Sequence, residues 1–217
     1  MIKPLIINTK DINGGAARAA YRLHQGLKKI NIDSTMLVGN KTSDDITVLG
    51  PNKKLGKGWG KIAPTLDCLP LIAYPKRQNK LIFSLQWLPD KLAAQVAKIN
   101  PDLINLHWVN GGYVRIETLA KFKKPMVWTL HDMWAFTGGC HYSSGCDKYT
   151  KFCGACPLLE SHRESDCLGL SMFILYFNTV ASLETGWLIF LIFLQDTKSS
   201  NSSSSYSSAN HLRPETK

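Results

Sequence analysis

Short apolar runs alternate with longer amphipathic stretches along the first 130 residues, and this alternation limits the fold more than any other feature. A run of four to eight apolar residues suits a strand buried on both faces, while apolar residues at spacings of three and four suit a helix laid over it. Lys3 to Asn8 (KPLIIN) reads as the first strand. Gly15 to Ile30 reads as the first helix, with Ala16, Ala19, Ala20, Leu23 and Leu27 as its apolar stripe. Asp33 to Gly39 and Asp45 to Leu49 follow as strands around a polar turn at Asn40 to Asp44. Pro89 to Ile99 is expected to be a helix stopped by Asn100 and Pro101, Asp102 to Trp108 a strand, Gly112 to Phe122 a helix and Pro125 to His131 a strand. Residues 50 to 80, rich in glycine, proline and lysine, predict a mobile or partly helical excursion.

Repeated βα units predict an α/β chain with a Rossmann-like, doubly wound parallel sheet, whose ligands gather at the carboxyl ends of the strands. At 217 residues and 44% hydrophobic content the chain can hold one such domain and a tail. The domain is expected over residues 1 to 163, with a cysteine-rich insertion at 138 to 157. Residues 164 to 217 are apolar from Leu168 to Leu194 and then serine-rich, which reads as a non-native or disordered tail. The apolar stretch is long enough to span a bilayer, but Glu184 near its middle opposes that use. A net charge of +10 raises nucleic acid, membranes and phosphorylated ligands as partners. The lysines are dispersed and no aromatic stacking platform accompanies them, so nucleic acid is not expected. The opening residues lack a signal peptide's long apolar core, and a cytoplasmic location is expected.

Three motifs carry candidate chemistry. Gly14 and Gly15 sit where the first strand turns into the first helix, so a phosphate or sugar could approach unpaired helix N–H groups, with Arg18 one turn further on. A tight turn without a ligand would use the same glycines, and the spacing fits neither the dinucleotide fingerprint nor a P-loop. His131 and Asp132 end a predicted strand, as does His107 one unit earlier, and a histidine there can bond a sugar hydroxyl or move a proton. Trp108 and Trp134 are either core aromatics or platforms for a sugar ring. Cys140, Cys146, Cys153 and Cys156 could saturate a structural zinc, with His141 as a substitute ligand; disulfides and free thiols remain alternatives.

The segments DINGGAARAAYRLHQGL, INLHWVNGG and above all VWTLHDMWAFTGGCHYSSGCDKYTKFCGACP resemble bacterial family 4 glycosyltransferases of the GT-B fold, most closely those building exopolysaccharide or lipopolysaccharide. The resemblance covers about residues 1 to 163 and implies one half of a GT-B enzyme. It also implies a nucleotide-sugar donor, a polysaccharide or lipid-linked glycan acceptor, retention of configuration and no catalytic cofactor. On it His131 and Asp132 become catalytic candidates, and Gly14, Gly15, Arg18, His107 and Trp134 substrate-binding ones. Peripheral association with the inner face of the membrane follows from such an acceptor. No paired-glutamate donor motif follows Arg163, so truncation of the donor-binding domain is expected. The alternative is a non-catalytic acceptor-binding or zinc-stabilised interaction module.

Overall fold

The computed structural model describes residues 2–51, 54–77, 82–151, 153–164 and 189–193, with only the backbone described at 54, 55, 57 and 189–193. Its strands are β1 (Pro4–Lys10), β2 (Thr35–Asn40), β3 (Val48–Leu49), β4 (Leu103–Leu106), β5 (Met126–Leu130) and β6 (Ile189–Phe193). The helices are α1 (Gly15–Lys29), α2 (Lys54–Asp67), α3 (Leu92–Ile99) and α4 (Ile116–Leu119). All strand pairs are parallel, in the order β3-β2-β1-β4-β5-β6. This is the doubly wound order, and the chain changes direction across the sheet between β1 and β4. Of the tail beyond residue 164, only β6 falls among the described residues, with its backbone beside β5 from Met126↔Ile189 to Leu130↔Phe193.

Side chains alternate across a strand, so a central strand must be apolar on both faces. In β1, Leu5 and Ile7 enter one core with Ile104, Leu106, Val96 and Trp128, while Ile6 enters the opposite core with Ala20, Met36, Val38 and Val48. The helices α3 and α4 supply Leu92, Val96, Ile116 and Leu119 to the first core, and α1 covers the second.

Two expectations need correction, and the partly helical excursion expected after residue 50 is present. The buried stripe of α1 is Ala17, Ala20 and His24, rotated from the expected one, and Leu23 is 40% exposed. His24 is fully buried because both ring nitrogens are satisfied, Nδ1 by Ser34 Oγ at 2.9 Å and Nε2 by Thr47 Oγ1 at 2.8 Å. Between residues 50 and 77 the chain forms α2, with Pro64 inside it, and a 3-10 turn at Leu69–Ala73. The helix expected over Gly112 to Phe122 shrinks to the single turn α4. Gly111 and Gly112 both have φ of +69°, and a Cβ on Gly112 would stand 2.9 Å from the Ala63 carbonyl oxygen, so this stretch is a close-packed loop.

Candidate active site at the switch point

Where β1 and β4 part, their ends are tied together. Thr9 N donates to Trp108 O at 2.8 Å, Trp108 N donates to Asn8 Oδ1 at 2.8 Å, and Thr9 Oγ1 lies 2.9 Å from both Trp108 O and Asn110 O. Above this junction lies a cavity of about 500 Å³. Asn8, Lys10 and the turn from Asn13 to Ala17 form one wall, and Trp108, His131, Asp132 and Tyr142 form the other.

The turn wall is built around Asp11, which is fully buried. Its carboxylate accepts from Ile12 N, Thr42 N, Ser43 N and Thr42 Oγ1 at 2.6 to 3.0 Å, which fastens the β1–α1 turn to the loop after β2. Burial works to raise the Asp11 carboxyl, but the Ser43 and Thr42 hydrogen bonds outweigh it and hold the group below its ordinary value. Gly14 caps α1 at φ 108°, a conformation L side chains rarely adopt. No side chain caps the helix and no acid lies in its first turn, so its leading N–H groups are offered to the cavity. A Cβ on Gly15 would meet nothing within 4 Å. Arg18 is exposed and lies outside the cavity lining.

Much of the facing wall is cross-linked through Asp132. Asp132 Oδ2 accepts from Trp108 Nε1 at 2.9 Å and from His141 Nδ1 at 2.5 Å, and Asp132 Oδ1 accepts from Trp134 N at 2.9 Å. Burial opposes ionisation of Asp132, yet the His141, Trp134 and Trp108 bonds hold its carboxyl below the usual value. Asp132 therefore braces Trp108 and His141, and its hydrogen bonds do not reach the His131 ring. His141 Nε2 meets Ser84 Oγ at 3.0 Å, so both nitrogens of the substitute zinc ligand are taken.

His107 is 3% exposed and lies beneath His131, with His107 Nδ1 2.9 Å from His131 Nε2 and His107 Nε2 2.7 Å from Asn105 Oδ1. Burial, followed by the neighbouring His131, lowers His107 to about 3. Burial also lowers His131, against the pull of Asp132. Trp134 is 1% exposed, donates to Ser84 O at 2.9 Å and packs against Trp128, which makes it a core aromatic. Trp108 takes the cavity position instead. Asn105 escaped the sequence reading, although strand periodicity offered a signal for it, whereas Asn8 is expected at a strand end and lines the cavity. Asn105 on β4 and His107 just past its end, like Thr129 on β5 and His131 just past its end, are two residues apart and so share a face.

The four cysteines of the 138–157 loop line one small cavity of about 20 Å³ with Phe83. Cys140, Cys153 and Cys156 are buried, and burial above all pushes the Cys140 thiol up to about 11. Among the described residues, no three His, Cys, Asp or Glu side chains are gathered to hold a metal ion as they stand. Gly139 is obligatory here, since at φ 134° its Cβ would lie 2.2 Å from the Phe83 ring. On the other side of β1, a second cavity of about 480 Å³ is lined by Thr9, Trp59, Asp90, Lys91 and Tyr113 among others. No helix among the described residues is long and apolar enough to cross a membrane.

Comparison with known proteins gives one informative likeness. Over 168 residues the chain is 25% identical to the colanic acid biosynthesis glycosyl transferase WcaC of Escherichia coli (strain K12), a match covering 73% of this chain. The match covers 40% of WcaC, so the chain spans well under half the length of that relative. No family model and no solved structure matches the chain. The chain is thus a parallel α/β domain similar in sequence to a protein named as a glycosyl transferase.

Proposed function

We propose that the cavity at the switch point serves glycosyl transfer, in which a sugar passes from a nucleotide-sugar donor to a polysaccharide or lipid-linked glycan. The observation carrying this reading is the pairing of an uncapped helix N-terminus at Gly14 with His131 across one cavity. A diphosphate suits the first, because unpaired N–H groups and the helix dipole favour negative charge. A sugar hydroxyl suits the second. The likeness to WcaC supports the same chemistry, and its printed name points to exopolysaccharide assembly. Family 4 membership, the GT-B arrangement and retention of configuration are the finer parts of the proposal.

Within it, Gly14 and Gly15 let the donor diphosphate approach α1, and His131 contacts the transferred sugar. Asp132 acts by holding Trp108 and His141 in place. The acceptor is assigned to the cavity across Thr9, where Trp59 and Tyr113 offer aromatic faces. A lipid-linked acceptor would bring this side of the molecule to a membrane surface.

The test is binding and transfer with the full chain. Titration with a panel of uridine and guanosine diphosphate sugars should perturb the amide signals of Gly14 to Ala17, and Gly15→Ala should weaken that binding about tenfold without lowering Tm. Incubation with glycan acceptors then reads transfer. Binding that leaves the Gly14 turn untouched would sink the assignment.

A further inference from the structure

A neutral histidine carries its proton on either ring nitrogen, and its neighbours decide which. Asn105 makes that decision for the pair beneath the cavity. Its Nδ2 donates to Val127 O at 3.0 Å and to Thr129 Oγ1 at 3.0 Å, which turns Oδ1 toward His107. With the amide reversed, its oxygen would face the Val127 carbonyl oxygen, two acceptors with no proton between them. An amide oxygen only accepts, so His107 Nε2 bears the proton of the 2.7 Å bond. The buried His107 ring is neutral, so its Nδ1 holds a lone pair and accepts the 2.9 Å bond from His131 Nε2–H. The remaining nitrogen of His131, Nδ1, is then an acceptor on the half-buried ring that lines the cavity.

We propose that Asn105 and His107 are positioning residues that hold His131 as its Nε2–H tautomer, so that His131 Nδ1 accepts a hydrogen bond from a sugar hydroxyl. This rests on the reading of the cavity as a glycosyl-transfer site. It divides the cavity by polarity. A lone pair repels a phosphate oxygen, so His131 selects a hydroxyl donor while the anion is left to the Gly14 end. A histidine free to change tautomer could offer N–H to the same place and would not discriminate.

The experiment is long-range proton–nitrogen correlation NMR at neutral pH on the full chain labelled at histidine, with His131 assigned through His131→Gln. The expected result is His131 protonated at Nε2 and bare at Nδ1, and His107 in the same tautomer. Asn105→Leu removes the oxygen that orders the chain of bonds, and the Nε2–H fraction of His131 should fall severalfold. Protonation at Nδ1 in the unaltered protein overturns the inference even if Asn105→Leu fails to fold, and so does an unchanged tautomer in a folded Asn105→Leu.

The second arm adds uridine diphosphate glucose, uridine diphosphate galactose and guanosine diphosphate fucose, with the free diphosphates as controls. At least one sugar nucleotide should move the His131 Nδ1 resonance while the free diphosphates leave it in place. No movement with any of them, or equal movement with the free diphosphates, overturns the hydroxyl role. The tautomer is read without turnover, so the correct tautomer with no transfer counts against the proposed function alone. Transfer with the wrong tautomer counts against the positioning role alone.

Discussion

The two walls of the switch-point cavity are built on opposite plans. The turn wall, from Asn13 to Ala17, is mostly local: its geometry follows from a glycine at positive φ, a strand before it and a helix after it, with Asp11 tying it to one distant loop at Thr42 and Ser43. The histidine wall is assembled from residues far apart in sequence, with Ser84, Asn105, His107, Trp108, Asp132 and His141 joined by hydrogen bonds. One wall offers unpaired donors and the other has spent nearly all of its own. The comparison teaches that the open donors lie in the simple wall, and the positional precision in the elaborate one.

The largest expected effect tests the elaborate wall. Asp132→Ala strands three donors, Trp108 Nε1, His141 Nδ1 and Trp134 N, in a part-buried place. At about 1.5–3 kcal/mol for a hydrogen bond to a charged group, less relaxation, the loss is about 3–5 kcal/mol and roughly 6–20 °C in Tm. A thermal scan that moves by no more than about 2 °C would break the view that Asp132 is a brace.

Next comes the cysteine loop behind that wall. Cys153→Ser puts a hydroxyl into a core with Leu71, Phe83 and Leu158, and should lower stability by about 1–3 kcal/mol in denaturant titration. NMR should show His141 and Asp132 disturbed and the Gly14 turn unchanged. Zinc analysis of the same samples sharpens the result. About one zinc per chain, lost in the variant, makes the loop a metal-held buttress, whereas unaltered protein whose Tm does not change when a chelator is added makes it a thiol core.

On the turn wall, Gly14→Ala should cost about 1–2 kcal/mol from its φ of 108° alone. Gly15→Ala, with open space around its Cβ, should leave Tm in place. Equal losses from both would mean that the turn is a packed element and not an open one.

The smallest effect is a slope. His107 falls from its ordinary 6.5 to about 3 in the fold, so between those values the unfolded chain binds a proton that the native chain does not. Stability contributed by this group is present above pH 6.5 and falls as the pH drops toward 3. One proton limits the slope to about 1.4 kcal/mol per pH unit. His107→Gln should flatten the curve of Tm against pH without abolishing the slope, because His24 and His131 are shifted in the same direction. Asp11 and Asp132, held below their ordinary 3.8, add their own loss only in more acid solution.

The same contrast explains what could be read from residues alone. The parallel sheet was legible because β1, β4 and β5 are apolar runs punctuated by glycine, proline and asparagine. The turn was legible because its glycines open α1 a few residues after β1 ends. The α1 stripe differs from the apolar pattern because His24 is not part of that pattern, although Ser34 and Thr47 make it a core residue. Helix α4 was overextended because nothing in NGGYVRIETL announces that Gly112 must pass against the Ala63 carbonyl. His107 and His131 were found from strand ends, but the role of Asp132 was not, since its partners lie on other segments. Hydrogen-bond direction is a property of the assembled wall, which no spacing rule carries.

Asp11 has one more consequence. Its carboxylate is gripped by backbone N–H groups and a hydroxyl, and no salt bridge to it occurs among the described residues. Attraction between exposed charges fades with ionic strength, over a Debye length of about 8 Å at physiological salt, but a buried carboxylate bonded to neutral dipoles is hardly screened. Added salt should therefore weaken the pull of the lysine-rich surface on an anionic ligand while the turn that receives it keeps its shape. The arrival of the ligand would be tuned by the medium, and the form of its berth would not.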